Sequence, residues 1–222
     1  MLTFFKSLLL KPVKRLAIKI FNRLEQWSQA DLPRFATRPK NLTIARPRRI
    51  SSPERISIGD DVYLGPGSLL TVSTRYPGSA ILPRGMSVDF QQTFDASIVI
   101  GNRVTSTGGL TVGAFVSITI EDDVLLAGNV MISDALHGYE TAETPYKYQP
   151  MGRIAPILVK RGCWIGQNVV VMPGVTIGEF SIVGANSVVT ADIPARSIAV
   201  GAPARVIRRW NDADKRWGSV VA

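Results

Sequence analysis

The side chain best suited to chemistry is His137, the single histidine of this 222-residue chain, which lies in the segment ISDALHGYE. An imidazole titrates closer to neutral pH than other side chains, so His137 suits a general base that removes a proton from a hydroxyl group. Asp134 lies three residues earlier and could orient the imidazole or bind substrate, or it could cap a turn. One histidine and one cysteine are too few for a metal site built from these residues, so we expect no metal.

The elements that must position His137 follow a six-residue repeat. One aliphatic series occupies every sixth position: Val159, Ile165, Val171, Ile177, Val183 and Val189. A second series lies four residues further on, with serine in two places: Val169, Val175, Ser181, Ser187 and Ile193. A period of six matches neither an α-helix nor an alternating strand, but it fits a short strand followed by a turn. Three such units close a triangular coil, and stacked coils bury their inward side chains against each other.

Weaker copies of the pattern precede this stretch. Ile58 and Leu64 are six residues apart, and Ile100 and Val112 are twelve apart. From Ile120 the six-residue period continues, but two residues out of phase with Val112. A sandwich of two sheets would not keep a fixed period of six, so the repeat favours a β-helix over most of the chain.

These hexads resemble the hexapeptide-repeat transferases over residues 56–210. The closing segment GAPARVIRRW is similar to that of the acetyl-coenzyme A-dependent branch, which contains sugar O-acetyltransferases and streptogramin acetyltransferases. Many of the sugar enzymes have Asp-His-x-His where this chain has Asp-Ala-Leu-His at 134–137, closer to the streptogramin pattern. The resemblance implies an all-β fold, a left-handed parallel β-helix at 56–201 with a protruding loop near 134–156.

The resemblance also implies a reaction. In that family a histidine at the start of such a loop deprotonates the acceptor, and acetyl passes directly from acetyl-coenzyme A; His137 matches this position. Eight further positions match residues along the coenzyme: Trp164, Gly166, Gln167, Gly184, Ala185, Thr190, Arg205 and Arg208. A backbone N–H near Gln167 is the implied donor to the oxyanion. The guanidinium groups of Arg205 and Arg208 would bind the phosphates, or they form a solvated basic patch.

The family resemblance extends to assembly and substrate. It implies a homotrimer in which each coenzyme groove lies between adjacent subunits. The expected reaction is O-acetylation of a sugar hydroxyl in a surface polysaccharide or a lipid-linked glycan. Three alternatives stay open: N-acetylation of an amino sugar, O-acetylation of a streptogramin-type antibiotic, and a catalytically inactive β-helix scaffold.

Two segments, 66–97 and 134–156, interrupt the repeat, and the sequence does not assign their roles. Tyr139 and Glu140 lie just after His137, and we expect them to line the acceptor pocket. Aromatic rings in this segment could stack on a sugar or pack on a neighbouring subunit. The acceptor itself is not encoded in any motif of these segments.

Basic charge is concentrated in the N-terminal part of the chain. Residues 1–50 hold twelve Lys and Arg and two acids, whereas residues 51–222 hold fourteen Lys and Arg and fifteen acids. A nearly neutral body argues against binding of nucleic acid. Residues 1–29 combine basic and apolar side chains at helical spacing, which predicts an amphipathic helix. This helix would either lie on an anionic membrane surface or pack on the body of the protein.

We therefore divide the chain into a basic amphipathic arm and connector at 1–55, the β-helix at 56–201 and a short tail or helix at 202–222. Residues 31–55 are rich in Pro, Arg and Ser, which indicates an irregular connector. No uncharged apolar stretch is long enough to span a membrane, so we expect a cytoplasmic protein, with peripheral contact to the inner membrane face left open.

Overall fold

The computed structural model describes residues 15, 16, 18–20, 31–78 and 81–220. Its strands in chain order are β1 Thr43–Ile44, β2 Arg48–Ser51, β3 Ile56–Ile58, β4 Tyr63–Leu64, β5 Ser68–Val72, β6 Arg75–Tyr76, β7 Gln92–Thr93, β8 Ser97–Ile100, β9 Thr105–Ser106, β10 Thr111–Ala114, β11 Ser117–Ile120, β12 Leu125–Leu126, β13 Met131–Ser133, β14 Ala135–His137, β15 Met151–Ile154, β16 Ile157–Val159, β17 Trp164–Ile165, β18 Val170–Val171, β19 Thr176–Ile177, β20 Ile182–Val183, β21 Val188–Val189, β22 Ser197–Gly201, β23 Ala204–Asn211 and β24 Arg216–Ser219. Two short 3-10 helices occupy Pro53–Arg55 and Tyr146–Tyr148.

Three parallel sheets form the three faces of a β-helix. Face A contains β1, β4, β9, β12, β17, β20 and β22; face B contains β2, β5, β10, β13, β18 and β21; face C contains β3, β8, β11, β16 and β19. The chain passes through the faces in the order A, B, C on every coil, so each strand pairs with the strand one coil away. The predicted parallel β-helix is therefore present.

The hexad positions form the core, as the repeat predicts. Both series between 159 and 193 point inward and are buried. On face A the inward positions of successive coils stack in one row: Ile44, Leu64, Ser106, Leu126, Ile165, Val183 and Ala199. A coil cannot bury these side chains alone, and its stability therefore depends on the coils above and below it.

The shift of two residues after Val112 has a local cause. Val112 on face B and Ile120 on face C are eight residues apart, whereas the residues that occupy the same positions two coils further on, Val171 and Ile177, are six apart. The turn between faces B and C is therefore two residues longer in this coil, and it contains Phe115. The two-residue shift of the repeat therefore indicates a wider corner. The strands on both sides of this corner keep their parallel partners.

The β-helix begins earlier than the sequence predicts. Thr43 and Ile44 pair in parallel with Tyr63 and Leu64, and β2 pairs in parallel with β5. The predicted boundary at 56 and the irregular connector at 31–55 are therefore wrong for residues 43–51, which form a first coil. The first interruption is also shorter than the predicted 66–97, because β5 is a regular strand of face B and the chain leaves the coil only after Val72.

The C-terminal segment is a β-hairpin, where the sequence predicts a tail or helix at 202–222. β23 turns back antiparallel on β22, and β24 turns back on β23, so face A gains two strands. Ala204 and Val206 pack on the end of the core, and the rings of Trp210 and Trp217 meet edge to face at 5.5 Å. The hairpin thus covers the last coil, which would otherwise expose its inward side chains.

Most of the predicted amphipathic arm at 1–29 lies outside the described residues. Residues 15, 16 and 18–20 are helical, and all of them are exposed. Within the described residues, no helix is both long and apolar enough to cross a membrane.

Candidate active site

His137 lies on a hairpin that leaves the β-helix at the corner between faces B and C. The hairpin consists of β14 and β15, which pair antiparallel with His137 opposite Met151. Gly138 follows the histidine and lies directly against the carbonyl of Pro150, where a Cβ would collide with the backbone. The side chain of His137 is exposed at the edge of this hairpin. It is therefore held on an ordered strand and open to an incoming molecule.

The imidazole of His137 is anchored by a tyrosine that the sequence analysis missed. The Tyr76 hydroxyl lies 3.2 Å from Nδ1 of His137, and it donates a hydrogen bond of 2.6 Å to the carbonyl oxygen of Lys147. The two rings also meet edge to face, with 5.6 Å between their centres. Tyr76 is 4% exposed, and burial raises the pKa of its phenol. The phenol thus stays neutral at physiological pH and acts through hydrogen bonds.

A second contact between the two interruptions fixes their relative position. The side chain of Gln92 accepts a hydrogen bond from the N–H of Met151 at 2.6 Å and donates one to the carbonyl of Met151 at 3.2 Å. Gln92 is the strand partner of Tyr76, and Met151 is the strand partner of His137. An apolar cluster lies beneath these contacts and contains Tyr76, Ile81, Phe90, Phe94, Phe115, Ala135, Met151 and Ile154. The segments that break the repeat therefore form one unit around His137.

Asp134 supports the widened corner and does not contact the imidazole. It is fully buried, and its two carboxylate oxygens accept hydrogen bonds from the N–H groups of Phe115 at 2.7 Å and Val116 at 2.8 Å. Burial raises the pKa of its carboxyl, and the backbone donors act in the opposite direction. Of the three roles that the sequence left open, the geometry favours the cap of a turn. The group that touches His137 is Tyr76 instead.

Tyr139 and Glu140 lie just beyond His137 in the same segment, and both are exposed; Tyr139 is 70% exposed. Neither side chain has a hydrogen bond among the described residues that would fix its position. The described residues close no pocket over them, so their place in an acceptor pocket stays a prediction.

Most of the positions expected along the coenzyme share the outer side of face A. Trp164, Ile182, Ile198 and Arg208 are successive partners across β17, β20, β22 and β23, so they form one outward row. Trp164 is 50% exposed although it is large and apolar. A row with an exposed tryptophan at one end and an arginine at the other suits an extended ligand that is part apolar and part anionic.

The adjoining corner between faces A and B carries the glycines of the set. A Cβ on Gly166 would lie 2.6 Å from the backbone nitrogen of Ala185, and one on Gly184 would lie 2.7 Å from the side chain of Val200. Val200 is the strand partner of Arg205, which therefore also faces outward here. Glycine is required at both positions because the coils approach too closely for a side chain.

Two of the predicted coenzyme positions remain to be placed. Gln167 lies on the same corner as Gly166, with an exposed side chain and a carbonyl that accepts from the N–H of Asn186. Thr190 follows β21 of face B, and it therefore lies at the corner between faces B and C. Seven of the eight positions are thus together on face A and its corner with face B. His137 and Thr190 lie along a different edge of the same prism.

Cys163 takes no part in either cluster. It is buried, its thiol lies 3.0 Å from the carbonyl oxygen of Gly178, and burial raises its pKa to about 11. It is a core residue of the coil and no nucleophile. Among the described residues, no group of three or more His, Cys, Asp or Glu side chains could hold a metal ion.

Comparison with known proteins assigns the repeat. The family described as bacterial transferase hexapeptide (six repeats) matches residues 156–191. A putative lipopolysaccharide biosynthesis O-acetyl transferase, WbbJ, of Escherichia coli K12 is 32% identical over 152 residues, covering 55% of this chain and 77% of that protein. The chain belongs to the hexapeptide-repeat acetyltransferase family. Galactoside O-acetyltransferase of the same organism is 39% identical over 127 residues, which span 56% of this chain and 60% of that protein.

Solved structures of acyltransferases agree with this fold. Galactoside acetyltransferase in complex with coenzyme A is 34% identical, with a TM-score of 0.55, over 75% of this chain and 72% of that one. AntD, an N-acyltransferase from Bacillus cereus, matches with a TM-score of 0.63 over 81% of this chain and 86% of that one; at 22% identity this likeness shows the fold alone. The predictions of family and of a left-handed parallel β-helix are confirmed.

Proposed function

We propose that this protein transfers acetyl from acetyl-coenzyme A to a sugar hydroxyl, with His137 as the general base. The observation that carries the proposal is the geometry of His137: an exposed imidazole on an ordered strand, held through Nδ1 by a buried tyrosine. The names of two relatives support a sugar acceptor, since one is a galactoside O-acetyltransferase and the other a putative lipopolysaccharide O-acetyl transferase.

The proposed reaction needs one base and no covalent enzyme intermediate. Nε2 of His137 takes the proton of the acceptor hydroxyl while that oxygen attacks the thioester carbonyl carbon. The carbon–sulfur bond then breaks, and the proton on Nε2 passes to the leaving thiolate. The products are the acetyl ester and free coenzyme A. A backbone N–H near Gln167 is our candidate donor to the transient oxyanion.

We place the coenzyme on the outer side of face A and its corner with face B. Trp164 and the close glycine turns at Gly166 and Gly184 offer a narrow apolar path for the pantetheine arm. Arg205 and Arg208 project from the same side at the C-terminal end, where their guanidinium groups can pair with phosphate oxygens. Gln167 and Ala185 complete this path.

A second copy of the chain is needed to complete the site that we propose. His137 and Thr190 lie along the edge between faces B and C, whereas the coenzyme positions lie on face A and the next edge. One copy therefore cannot bring the base beside the thioester. A threefold assembly in which this edge of one subunit meets face A of the next would form three equivalent sites. We accordingly propose a homotrimer.

The acceptor that we favour is a sugar unit of a surface polysaccharide or lipid-linked glycan, approached beside Tyr139 and Glu140. An enzyme acting on such intermediates would work in the cytoplasm, and the basic residues of the N-terminal arm suit peripheral contact with anionic lipid there. Exposed Leu16, Ile18 and Ile20 in the described part of the arm are compatible with that contact.

The test is release of coenzyme A thiol with panels of hydroxyl-bearing and amine-bearing sugars. We expect turnover with hydroxyl acceptors, and we expect His137→Ala to lower kcat by about 10²–10⁴-fold while acetyl-coenzyme A still binds. Transfer that survives in His137→Ala would exclude this residue as the base. Turnover with amines only would replace O-acetylation by N-acetylation.

A further inference from the structure

We propose that Tyr76 is a positioning residue that fixes the neutral imidazole of His137 as the tautomer protonated on Nδ1. This assignment rests on the hydrogen-bond geometry of the chain, and its consequence for acetyl transfer rests on the function proposed above. Tyr76 lies in the first interruption of the repeat, 61 positions before His137, where no motif marks it.

The tautomer of His137 follows from which group in each hydrogen bond can supply the hydrogen. A tyrosine hydroxyl has one hydrogen to donate, and a backbone carbonyl has none. The distance of 2.6 Å between the Tyr76 oxygen and the Lys147 carbonyl oxygen therefore requires the tyrosine hydrogen to lie between them. Towards His137 the same oxygen has only lone pairs left. Nδ1, at 3.2 Å, must then be the donor, and a neutral imidazole with a hydrogen on Nδ1 has a free lone pair on Nε2.

The reverse arrangement is excluded by the same contacts. If Tyr76 donated to Nδ1, two oxygen atoms would face each other at 2.6 Å with no hydrogen between them. Tyr76 is 4% exposed, and no other donor to its hydroxyl is found among the described residues. The carbonyl of Lys147 therefore sets the direction of the phenol, and the phenol sets the tautomer of the histidine.

Neighbouring residues fix the positions of Tyr76 and His137 relative to each other. The Tyr76 ring stacks on Phe90, with ring centres 6.3 Å apart. Gln92 is the strand partner of Tyr76, and Met151 is the strand partner of His137. The side chain of Gln92 forms two hydrogen bonds with the backbone of Met151. The phenol and the imidazole are therefore fixed from both sides of the contact.

The tautomer matters because proton removal needs an unprotonated nitrogen on the exposed side. Among the described residues, Nε2 of His137 has no hydrogen-bond partner, and the only group bonded to the ring is Tyr76. The carboxylate of Asp134, three residues before His137, is bonded to the backbone at the corner of the coil. In water a histidine side chain favours the tautomer protonated on Nε2, so without Tyr76 the ring would present a hydrogen where the reaction needs a lone pair.

The test is ring ¹⁵N NMR of the full-length protein, which has one histidine and therefore one set of imidazole signals. At a pH at which the imidazole is neutral, we expect Nδ1 to be protonated and Nε2 to be unprotonated in the wild type. In Tyr76→Phe the signals should move towards the Nε2–H tautomer, and kcat should fall about tenfold or more with the KM for acetyl-coenzyme A unchanged. Val99→Ala, on face C and 41% exposed, is the control and should change neither.

Each outcome decides one claim. An Nε2–H ring in the wild type, which needs no variant to observe, would overturn the assignment. An unchanged tautomer in a folded Tyr76→Phe would overturn the role of the phenol. A shifted tautomer with unchanged kcat would overturn its effect on transfer. An Nδ1–H ring in a protein that transfers no acetyl would refute the proposed function and leave the assignment standing.

Discussion

Asp134→Asn tests whether Asp134 stabilises the widened corner between faces B and C or acts on the imidazole of His137. The wild-type carboxylate gives one oxygen to the N–H of Phe115 and the other to the N–H of Val116. Asparagine keeps one oxygen and places an NH2 group against the second N–H, so one bond to a charged acceptor is lost and two donors face each other. A buried bond of this kind contributes about 1.5–3 kcal/mol. Relief of the buried charge offsets part of this, and we expect a loss of about 2 kcal/mol.

The same change has a defined pH dependence. Burial raises the pKa of the Asp134 carboxyl above its ordinary value, against the backbone donors. A carboxyl with a raised pKa in the folded state contributes most stability below its unfolded pKa, and it loses that contribution as the pH rises through the folded value. The stability of the wild type should therefore decrease as the pH rises through the folded pKa of Asp134, and Asp134→Asn should lack this step.

The assay is thermal and urea unfolding of both proteins, with the imidazole signals and kcat measured on the folded variant. A loss of about 2 kcal/mol corresponds to a decrease in Tm of roughly 4–8 °C for a chain of this size. Asp192→Asn is the control, because Asp192 accepts a single bond from the N–H of Thr176 at an exposed turn, and asparagine can keep it. A variant as stable as the wild type that has lost kcat, or whose imidazole tautomer has changed, would refute the structural role.

Two other changes test the coenzyme face and the core. Acetyl-coenzyme A at a hundred times its Kd should stabilise the wild type by about 2.7 kcal/mol, and Arg205→Ala with Arg208→Ala should reduce this shift in Tm while the oligomeric state is unchanged. An undiminished shift in Tm would contradict binding of the coenzyme phosphates at this end of face A. Cys163 should not react with thiol reagents at neutral pH until denaturant unfolds the coil, because burial raises its pKa to about 11. Rapid labelling of the native protein would contradict its place in the core.

The parts of the fold that the sequence predicts are those in which every coil repeats the same physical requirement. Val171, Ile177 and Val183 each point inward because strand and turn together take six residues, so their spacing is visible without a structure. Ser181 and Ser187 fit the same series because a small buried hydroxyl can bond to the backbone, as Ser181 does to the carbonyl of Pro194 at 2.7 Å. The repeat therefore predicts strands, faces and core together.

The first coil and the last hairpin lack that signal for different reasons. In residues 43–51 Ile44 and Ile50 are the only apolar side chains at inward positions, and neighbouring prolines and arginines conceal a period that has only one step. β23 and β24 pair antiparallel and follow the ordinary alternation of a hairpin, in which Ala204 and Val206 point inward. The irregular composition of residues 43–51 therefore gave no sign of a regular coil. The two C-terminal strands were not predicted because they no longer follow the six-residue repeat.

The site shows why the base could be found and its partner could not. His137 is visible because it is the only histidine and lies where the repeat stops, whereas Tyr76 is one aromatic residue among several in a segment without a pattern. Its position was nevertheless encoded in the phase of the repeat. Both interruptions leave the coil directly after a strand of face B, at Val72 and at Ser133, so both must emerge from the same edge of the prism. Segments that leave one edge two coils apart have to pack on each other, and the chemistry of His137 depends on that contact.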